Sequence, residues 1–359
     1  MILCRTPYRI SLFGGGTDYP SWYRQHGGAV LATTIDKYSY ITCRYLPPFF
    51  EHRYCLVYSK IEHCRHLDDI DHPAIREVVR HMRIAPGLEI HHDTDLPSRS
   101  GMGSSSAFTV GLLHALYALT GRMPTKHQLA TESVDIEQNV LKETVGSQDQ
   151  VLAAYGGFNH VVFHPNGEII VTPVTIPRER VQELNSHLML FYTGIKRTAS
   201  TIASTYVSNI EEKKRNLRIL SDLVVEARSI LNSSTDIGAI GDLLHEAWQI
   251  KRVMSASVSN PDVDSLYDAA LAAGAHGGKL TGAGGGGFLL LFVPPDRQSA
   301  VRERLSKLIH VPFGFDFFGS QIIFADRERE YAHEEEERTR LSIDAFRELS
   351  AGVGAGVTG

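Results

Sequence analysis

The run Pro97-Ser98-Arg99-Ser100-Gly101-Met102-Gly103-Ser104-Ser105-Ser106 lies between an extended apolar segment, Leu88 to His92, and an apolar-periodic one, Ala107 to Leu119. A strand, a glycine–serine loop and a helix in that order put backbone N–H groups and the positive end of a helix dipole where an anion can dock. Glycine lets the backbone approach such a ligand closely. Ser104, Ser105 and Ser106 add hydroxyls suited to phosphate oxygens or a magnesium ion. No GK[ST] follows, so the run is not a Walker A loop. Ser106 stands where the third glycine of GxGxxG belongs, so it is not a dinucleotide fingerprint either. Taken alone, the ten residues fit a simple serine-capped turn equally well.

Two further glycine-rich runs break that tie. Lys279-Leu280-Thr281-Gly282-Ala283-Gly284-Gly285-Gly286-Gly287 precedes the apolar strand Phe288 to Val293, and five of the six residues from 282 to 287 are glycine. So much glycine costs conformational entropy and is retained where a ligand or another backbone must come close. Near the start, Arg9-Ile10-Ser11-Leu12-Phe13-Gly14-Gly15-Gly16-Thr17-Asp18-Tyr19 runs from a strand into a tight loop bearing a carboxylate.

Working outward, Leu3 to Phe13, Ala29 to Thr34, Tyr38 to Tyr45 and Tyr54 to Tyr58 read as strands, rich in β-branched and aromatic residues. Helices are expected at Ala107 to Leu119 and Lys126 to Leu141, then strands at Phe158 to Phe163, Ile169 to Val174 and His187 to Tyr192. Ser204 to Met254 reads as two long helices broken near Asn232 to Thr235. A helix at Val263 to Ala273, another at Arg297 to Ile309 and a strand at Gln321 to Phe324 follow. Mixed elements on both sides of residue 180 predict an α+β chain of two domains in contact. Asp326 to Leu349 reads as an acidic, solvated terminal helix with a fraying tail.

Composition limits the function classes. The chain has 359 residues, 43% hydrophobic and 21% charged, which are globular values and long enough for two cores. A net charge of −5 without a basic run argues against a nucleic-acid partner. The longest dense apolar run has six residues, against about 20 for a membrane span. The opening MILCRTPYRI is too polar for a secretory signal, so a cytoplasmic protein is expected. Cys4, Cys43, Cys55 and Cys64 show no CxxC spacing and read as reduced thiols of modest burial. His63, His66, His91 and His92 lack the ligand frame of a transition-metal site.

The three glycine-rich segments together resemble the GHMP small-molecule kinases, the family of galactokinase, homoserine kinase, mevalonate kinase and phosphomevalonate kinase. The resemblance covers roughly residues 5 to 293 and rests on PxxxGxGSSS, KLTGAGGGG and RISLFGGGTDYP. Within the sugar-kinase branch, GGGTDY is nearest the heptose 7-phosphate 1-kinases and related fucokinase domains. Galactokinase carries an acidic residue and a histidine just before Thr-Asp-Tyr, where this chain has Gly15 and Gly16.

The resemblance implies an amino-terminal domain like ribosomal protein S5 domain 2 over residues 1–180, a ferredoxin-like domain over 181–330, and a terminal segment over 331–359. It implies ATP and magnesium as cofactors. Pro97 and Ser100 to Ser106 (Ser100, Gly101, Met102, Gly103, Ser104, Ser105, Ser106) would form the ATP site. Ser105 and Glu137 would hold magnesium, with Glu132 a poorer match for Glu137. Asp149, twelve positions after Glu137, and Arg9 would be catalytic. Gly15, Gly16, Thr17, Asp18, Tyr19, Thr281, Gly282 and Gly284 would join Asp149 around the sugar. Arg197, beside Lys196 after the strand ending at Tyr192, offers a clamp for a distal phosphate or starts a solvated helix. The expected partners are ATP and a sugar or sugar phosphate, in a monomer or homodimer. Phosphorylation of the anomeric hydroxyl of a heptose 7-phosphate leads. A kinase of free fucose or galactose and a non-catalytic sugar and nucleotide sensor are the alternatives.

Overall fold

A computed structural model describes residues 1–85, 87–98, 100–195, 213–255, 258–326 and 330–340. Lys196 and Arg197 lie outside them.

The fold is built on a long antiparallel pair, β1 (Ile2–Phe13) and β2 (Gly28–Tyr45). The sequence pattern divides β2 in two, at the polar Asp36-Lys37. The strand is continuous, and the interruption is a register shift opposite Pro7 and Tyr8. A bulge of this kind bends a strand without ending it. β1 alternates in burial at its start and is fully buried from Arg5's neighbour Thr6 to Phe13, because its second half runs beneath other elements on both faces.

β3 (Tyr54–Val57), β4 (Ile61–Cys64) and β5 (Leu88–Thr94) extend the sheet beyond β2, and β6 (Phe158–Phe163) and β7 (Ile169–Pro173) pair off its other half. Helices α1 (Pro20–His26), α2 (Pro73–Met82), α3 (Ser104–Leu119), α4 (Lys126–Asp135) and α5 (Gln148–Tyr155) belong to this half of the chain, and α3 packs directly on β1 and β2. α3 is buried nearly all round, which accounts for its long apolar composition.

After α6 (Arg178–His187), a second antiparallel sheet forms from β8 (Leu188–Tyr192), β9 (Gly277–Leu280), β10 (Phe288–Phe292) and β11 (Ile309–His310), in the order β11-β8-β10-β9. α7 (Lys214–Leu231), α8 (Gly238–Val253), α9 (Pro261–Ala272) and α10 (Gln298–Arg304) accompany it. Trp248 of α8 and Tyr267 of α9 fill a core under this sheet. The larger core is continuous from β1 through α3 to α7 and β10, so no apolar gap separates the two halves.

Several expectations need correction. The strand near residue 321 does not stay with the 181–330 unit. β12 (Phe315–Asp316) pairs with β2, and β13 (Gln321–Ala325) pairs with the outer edge of β1, completing the first sheet. An uncovered β1 would present a free row of backbone donors and acceptors. The helix expected over 126–141 is α4 followed by a π-turn at Ile136–Val140. α3 begins at Ser104, not at Ala107, because Gly103 takes the left-handed N-cap position. The helix expected to reach Ile309 stops at Arg304. Cys4 and Cys43 are fully buried, more than was expected of them. α11 (Ala332–Arg340) is anchored, not merely solvated: Arg53 donates to Glu335 at 2.6 Å, and Arg338 to the carbonyls of Pro48 and Phe50. No helix among the described residues is long and apolar enough to cross a membrane.

The two later glycine-rich loops meet backbone to backbone. A Cβ on Gly101 would lie 2.6 Å from the Thr281 carbonyl, and one on Gly287 only 2.1 Å from the Ser100 carbonyl, at a φ of +90°. Replacement of Gly287 by alanine therefore carries a backbone penalty of about 1–3 kcal/mol before the overlap is counted. A lowered thermal midpoint in differential scanning calorimetry is the expected outcome.

Candidate active site

A cleft opens where β1, the loop after it, the start of α3, the start of α5, α8 and β9 converge. Arg9, placed by β1, donates through Nε to Asp149 Oδ1 and through Nη2 to Oδ2, both at 2.7 Å, and through Nη1 to the Gly101 carbonyl at 2.7 Å. The planar fork matches a carboxylate in this way, whereas a lysine would not. Arg9 also gives its backbone N–H to the Met102 carbonyl at 3.2 Å, which ties β1 to the glycine–serine loop.

The N-terminal turn of α3 has no side-chain cap and no acidic residue. It faces the cleft through Gly103, Ser104, Ser105 and Ser106. A Cβ at Gly103 would lie 3.3 Å from both Arg9 Cγ and Asp149 Oδ2. The helix terminus and the ion pair are thus neighbours, with only glycine's missing side chain between them.

Asp18 is buried beside the start of α5, next to the residues that lead into Asp149. Its Oδ1 accepts from the Gly16 N–H at 2.9 Å, its Oδ2 from the Gln148 N–H at 3.4 Å, and its carbonyl from the Ser147 N–H at 2.9 Å. Gly146 makes this possible, since a Cβ there would overlap Asp18 Oδ2 at 1.9 Å. Burial, and then the nearby Asp149 charge, push the Asp18 carboxyl above the usual range. Lys251 of α8 and Lys279 of β9 reach the same cleft. Burial is the first cause that lowers both ammonium pKa values, to about 8 for Lys251.

Glu137 sits in the π-turn, fully buried behind Ser106, whose hydroxyl donates to Oε2 at 2.8 Å; Gln150 also donates to Oε2. Its Oε1 has no hydrogen-bond partner within normal distance, and the Thr109 hydroxyl close by donates to the Ser105 carbonyl at 3.2 Å. Burial raises the Glu137 carboxyl to about 7, with Ser106, Thr109 and Gln150 pulling it back.

The expected site residues divide cleanly. Arg9, Gly15, Gly16, Asp18, Tyr19, Gly101, Gly103, Ser104, Ser105, Ser106, Asp149 and Gly282 line the cleft. Pro97, Ser100, Met102, Thr17, Thr281 and Gly284 do not. Met102 is buried in the core, Thr17 gives its hydroxyl to the carbonyls of Gly14 and Ala29, and Gly284 abuts Val258. It is Ser106, not Ser105, that contacts Glu137. Glu132 is engaged elsewhere, with Tyr117 and Gln128. Ser11, Thr144, Gln148, Lys251 and Lys279 line the cleft without having been assigned a role from sequence. A lysine within an amphipathic helix, such as Lys251, carries no local signal. Lys279 opens the KLTGAGGGG run, and that position is the local signal that marks it.

Outside the cleft, His52, Cys55 and His63 bring ligand atoms within 4.8 Å of one another. The two imidazoles stack with centroids 4.3 Å apart and planes 17° from parallel, so their in-plane lone pairs run side by side and do not converge on one ion.

Comparison with known proteins places this geometry. The chain matches the GHMP kinases N terminal domain over residues 71–157 and the GHMP kinases C terminal domain over 225–310. It belongs to the GHMP kinase family. The D-glycero-alpha-D-manno-heptose 7-phosphate kinase of Campylobacter jejuni is 29% identical over 317 residues, covering 85% of this chain and 93% of that protein. The crystal structure of a D-glycero-D-manno-heptose 1-phosphate kinase from Bacteroides thetaiotaomicron superposes with a TM-score of 0.73 at 26% identity, over 90% of this chain and 100% of that one. A putative sugar kinase from Campylobacter jejuni gives 0.68 at 27% identity, over 89% and 97%.

Asp18 sets a pH-dependent stability. A carboxyl whose folded pKa is raised contributes stability that is present at low pH and lost as pH rises through the folded value. The thermal midpoint of Asp18→Asn relative to wild type is therefore expected to increase as the pH is raised from 4 to 8. A difference that stays constant across a calorimetric pH series would remove the strained carboxylate from this account.

Proposed function

We propose that the chain is an ATP-dependent sugar kinase that phosphorylates the anomeric hydroxyl of a heptose 7-phosphate, a step that prepares the sugar for nucleotide activation. The observation that carries the reading is the contact of the Arg9–Asp149 pair with Gly103 at the open N-terminus of α3. A triphosphate seated on that helix end would bring its terminal phosphoryl beside the carboxylate that faces the acceptor.

In the reaction the acceptor hydroxyl oxygen forms a bond to the γ-phosphorus, the bond from that phosphorus to the β–γ bridging oxygen breaks, and ADP leaves. The hydroxyl proton passes to Asp149, which keeps free lone pairs after accepting from Arg9. Arg9 fixes the orientation of that carboxylate and adds positive charge at its rim. Asp18 would accept hydrogen bonds from sugar hydroxyls, as Ser11 and Gln148 would, whose Oγ and Oε1 have no protein partner.

Substrate choice rests on the names of the relatives and on the cleft. Gly15 and Gly16 leave the sugar side of the cleft free of bulky groups, and three cations, Arg9, Lys251 and Lys279, face two carboxylates. Both favour a larger, anionic acceptor over a free hexose. Arg197 remains the proposed clamp for the distal phosphate.

Magnesium fits the residues present. Glu137 has a buried oxygen without a protein partner, and hydroxyls stand between it and the cleft. Glu137, with Ser105 or Ser106, would hold the ion, which supplies charge neutralisation for the triphosphate when bound.

A panel of ATP-coupled assays tests the acceptor: turnover of heptose 7-phosphate is expected to exceed that of free fucose and galactose, and the reverse order would reject it. Asp149→Asn is expected to lower kcat by roughly 10²-fold or more with little change in the KM for ATP. Because a protonated Glu137 is a poor ligand, the magnesium concentration for half-maximal activity should fall as pH rises through about 7. Glu137→Gln is expected to raise the magnesium requirement and abolish that trend.

A further inference from the structure

Lys251 lies in the last turn of α8, only 8% exposed, on the wall of the cleft contributed by the second half of the chain. Its ammonium donates to the Gly282 carbonyl at 2.5 Å, and among the described residues it has no carboxylate within ion-pair distance. An ammonium has three hydrogens to give, so this arrangement leaves it under-satisfied, and a buried cation of that kind calls for an anion.

We infer that the Lys251 ammonium contacts the phosphoryl group as it passes from ATP to the acceptor hydroxyl, making it a catalytic residue of the kinase. The inference rests on the function proposed above. Three features of the cleft favour this over a role in holding sugar hydroxyls.

Lys251 lines one cleft with Arg9, Asp18 and Asp149, and these are the charges whose fields bear on its ammonium. Arg9 gives three of its five N–H groups to protein acceptors, Nε and Nη2 to Asp149 and Nη1 to the Gly101 carbonyl, which ties its guanidinium to the carboxylate. Lys251 gives one of its three to protein and, unlike Arg9, makes no ion pair among the described residues. Its single protein partner, Gly282, abuts Gly101, with a Cβ on Gly282 falling 2.6 Å from Gly101 Cα. That contact registers the ammonium against the loop that begins α3, where the triphosphate would sit.

Lys279 is a weaker candidate. It donates to the Leu12 carbonyl at 3.1 Å, and burial, Lys251 and Arg9 all lower its pKa, to well below the usual value. Lys251, pushed down to about 8 by burial and Arg9 and supported by Asp18 and Asp149, stays largely protonated at neutral pH. Arg9 from β1, Asp18 from the following loop, Asp149 from α5 and Lys279 from β9 are the charged groups that set this balance.

The test uses the full chain with ATP, magnesium and whichever sugar the acceptor panel shows to be turned over best, so that a wrong choice of heptose leaves the experiment intact. Lys251→Met is expected to lower kcat by roughly 10²-fold or more while both KM values stay within about threefold. It should still bind ADP but lose binding of ADP with aluminium fluoride and sugar, a mimic of the phosphoryl in flight. Lys251→Arg, charged at every accessible pH, should retain part of the activity and move the alkaline limb of kcat/KM, near pH 8 in the wild type, to higher pH. Wild-type kcat in Lys251→Met, a loss confined to the sugar KM, or an alkaline limb unmoved in Lys251→Arg would each overturn the assignment.

Discussion

Everything in the cleft depends on two loops approaching closer than side chains would allow. Gly101 and Gly282 are in backbone contact, Gly287 lies against Ser100, and Gly284 against Val258. These contacts set the second sheet and α8 against the start of α3. The Gly101 carbonyl is thereby held where Arg9 can reach it, and the Gly282 carbonyl where Lys251 can. A methyl group at Gly101, Gly282 or Gly287 would push the halves of the chain apart and open the distance that a phosphoryl must cross.

The charges follow from that geometry. Arg9 and Asp149 hold one another through two hydrogen bonds, so the pair forms a fixed wall of the cleft. Asp18, Lys251 and Lys279 are each buried without a matching partner, and each has a pKa displaced toward its neutral form. A site in this condition is unstable as an isolated arrangement of charges and is completed by ligands that carry phosphate and hydroxyl groups. Glu137 shows the same logic one layer deeper, a carboxylate raised to about 7 with one oxygen unpaired. The π-turn that holds it is a local departure from helical spacing of the kind often found at functional positions.

Much of this was legible in the linear order of residues. The strand, glycine–serine loop and helix around residue 101 are legible because they follow from adjacent residues, and the two further glycine-rich runs favour an anion site over a simple turn. Arg9, Asp18 and Asp149, each inside or beside a motif, line one cleft. Thr17 and Gly284 were read as substrate contacts because they sit inside recognisable motifs, yet both serve the loops themselves. Motif membership does not distinguish a residue that touches a ligand from one that shapes the loop beside it.

The sequence by itself determined the α+β class, the strand–loop–helix run around residue 101 and the family, because these depend on residue periodicity and on runs of adjacent residues. Only the tertiary structure decided that β13 closes the first sheet, that Ser106 and not Ser105 meets Glu137, and that Lys251 enters the cleft from α8. Each of these joins residues far apart in the chain or turns on the pitch of a single helical turn. Such pairings are set by packing between elements, which adjacent residues do not encode.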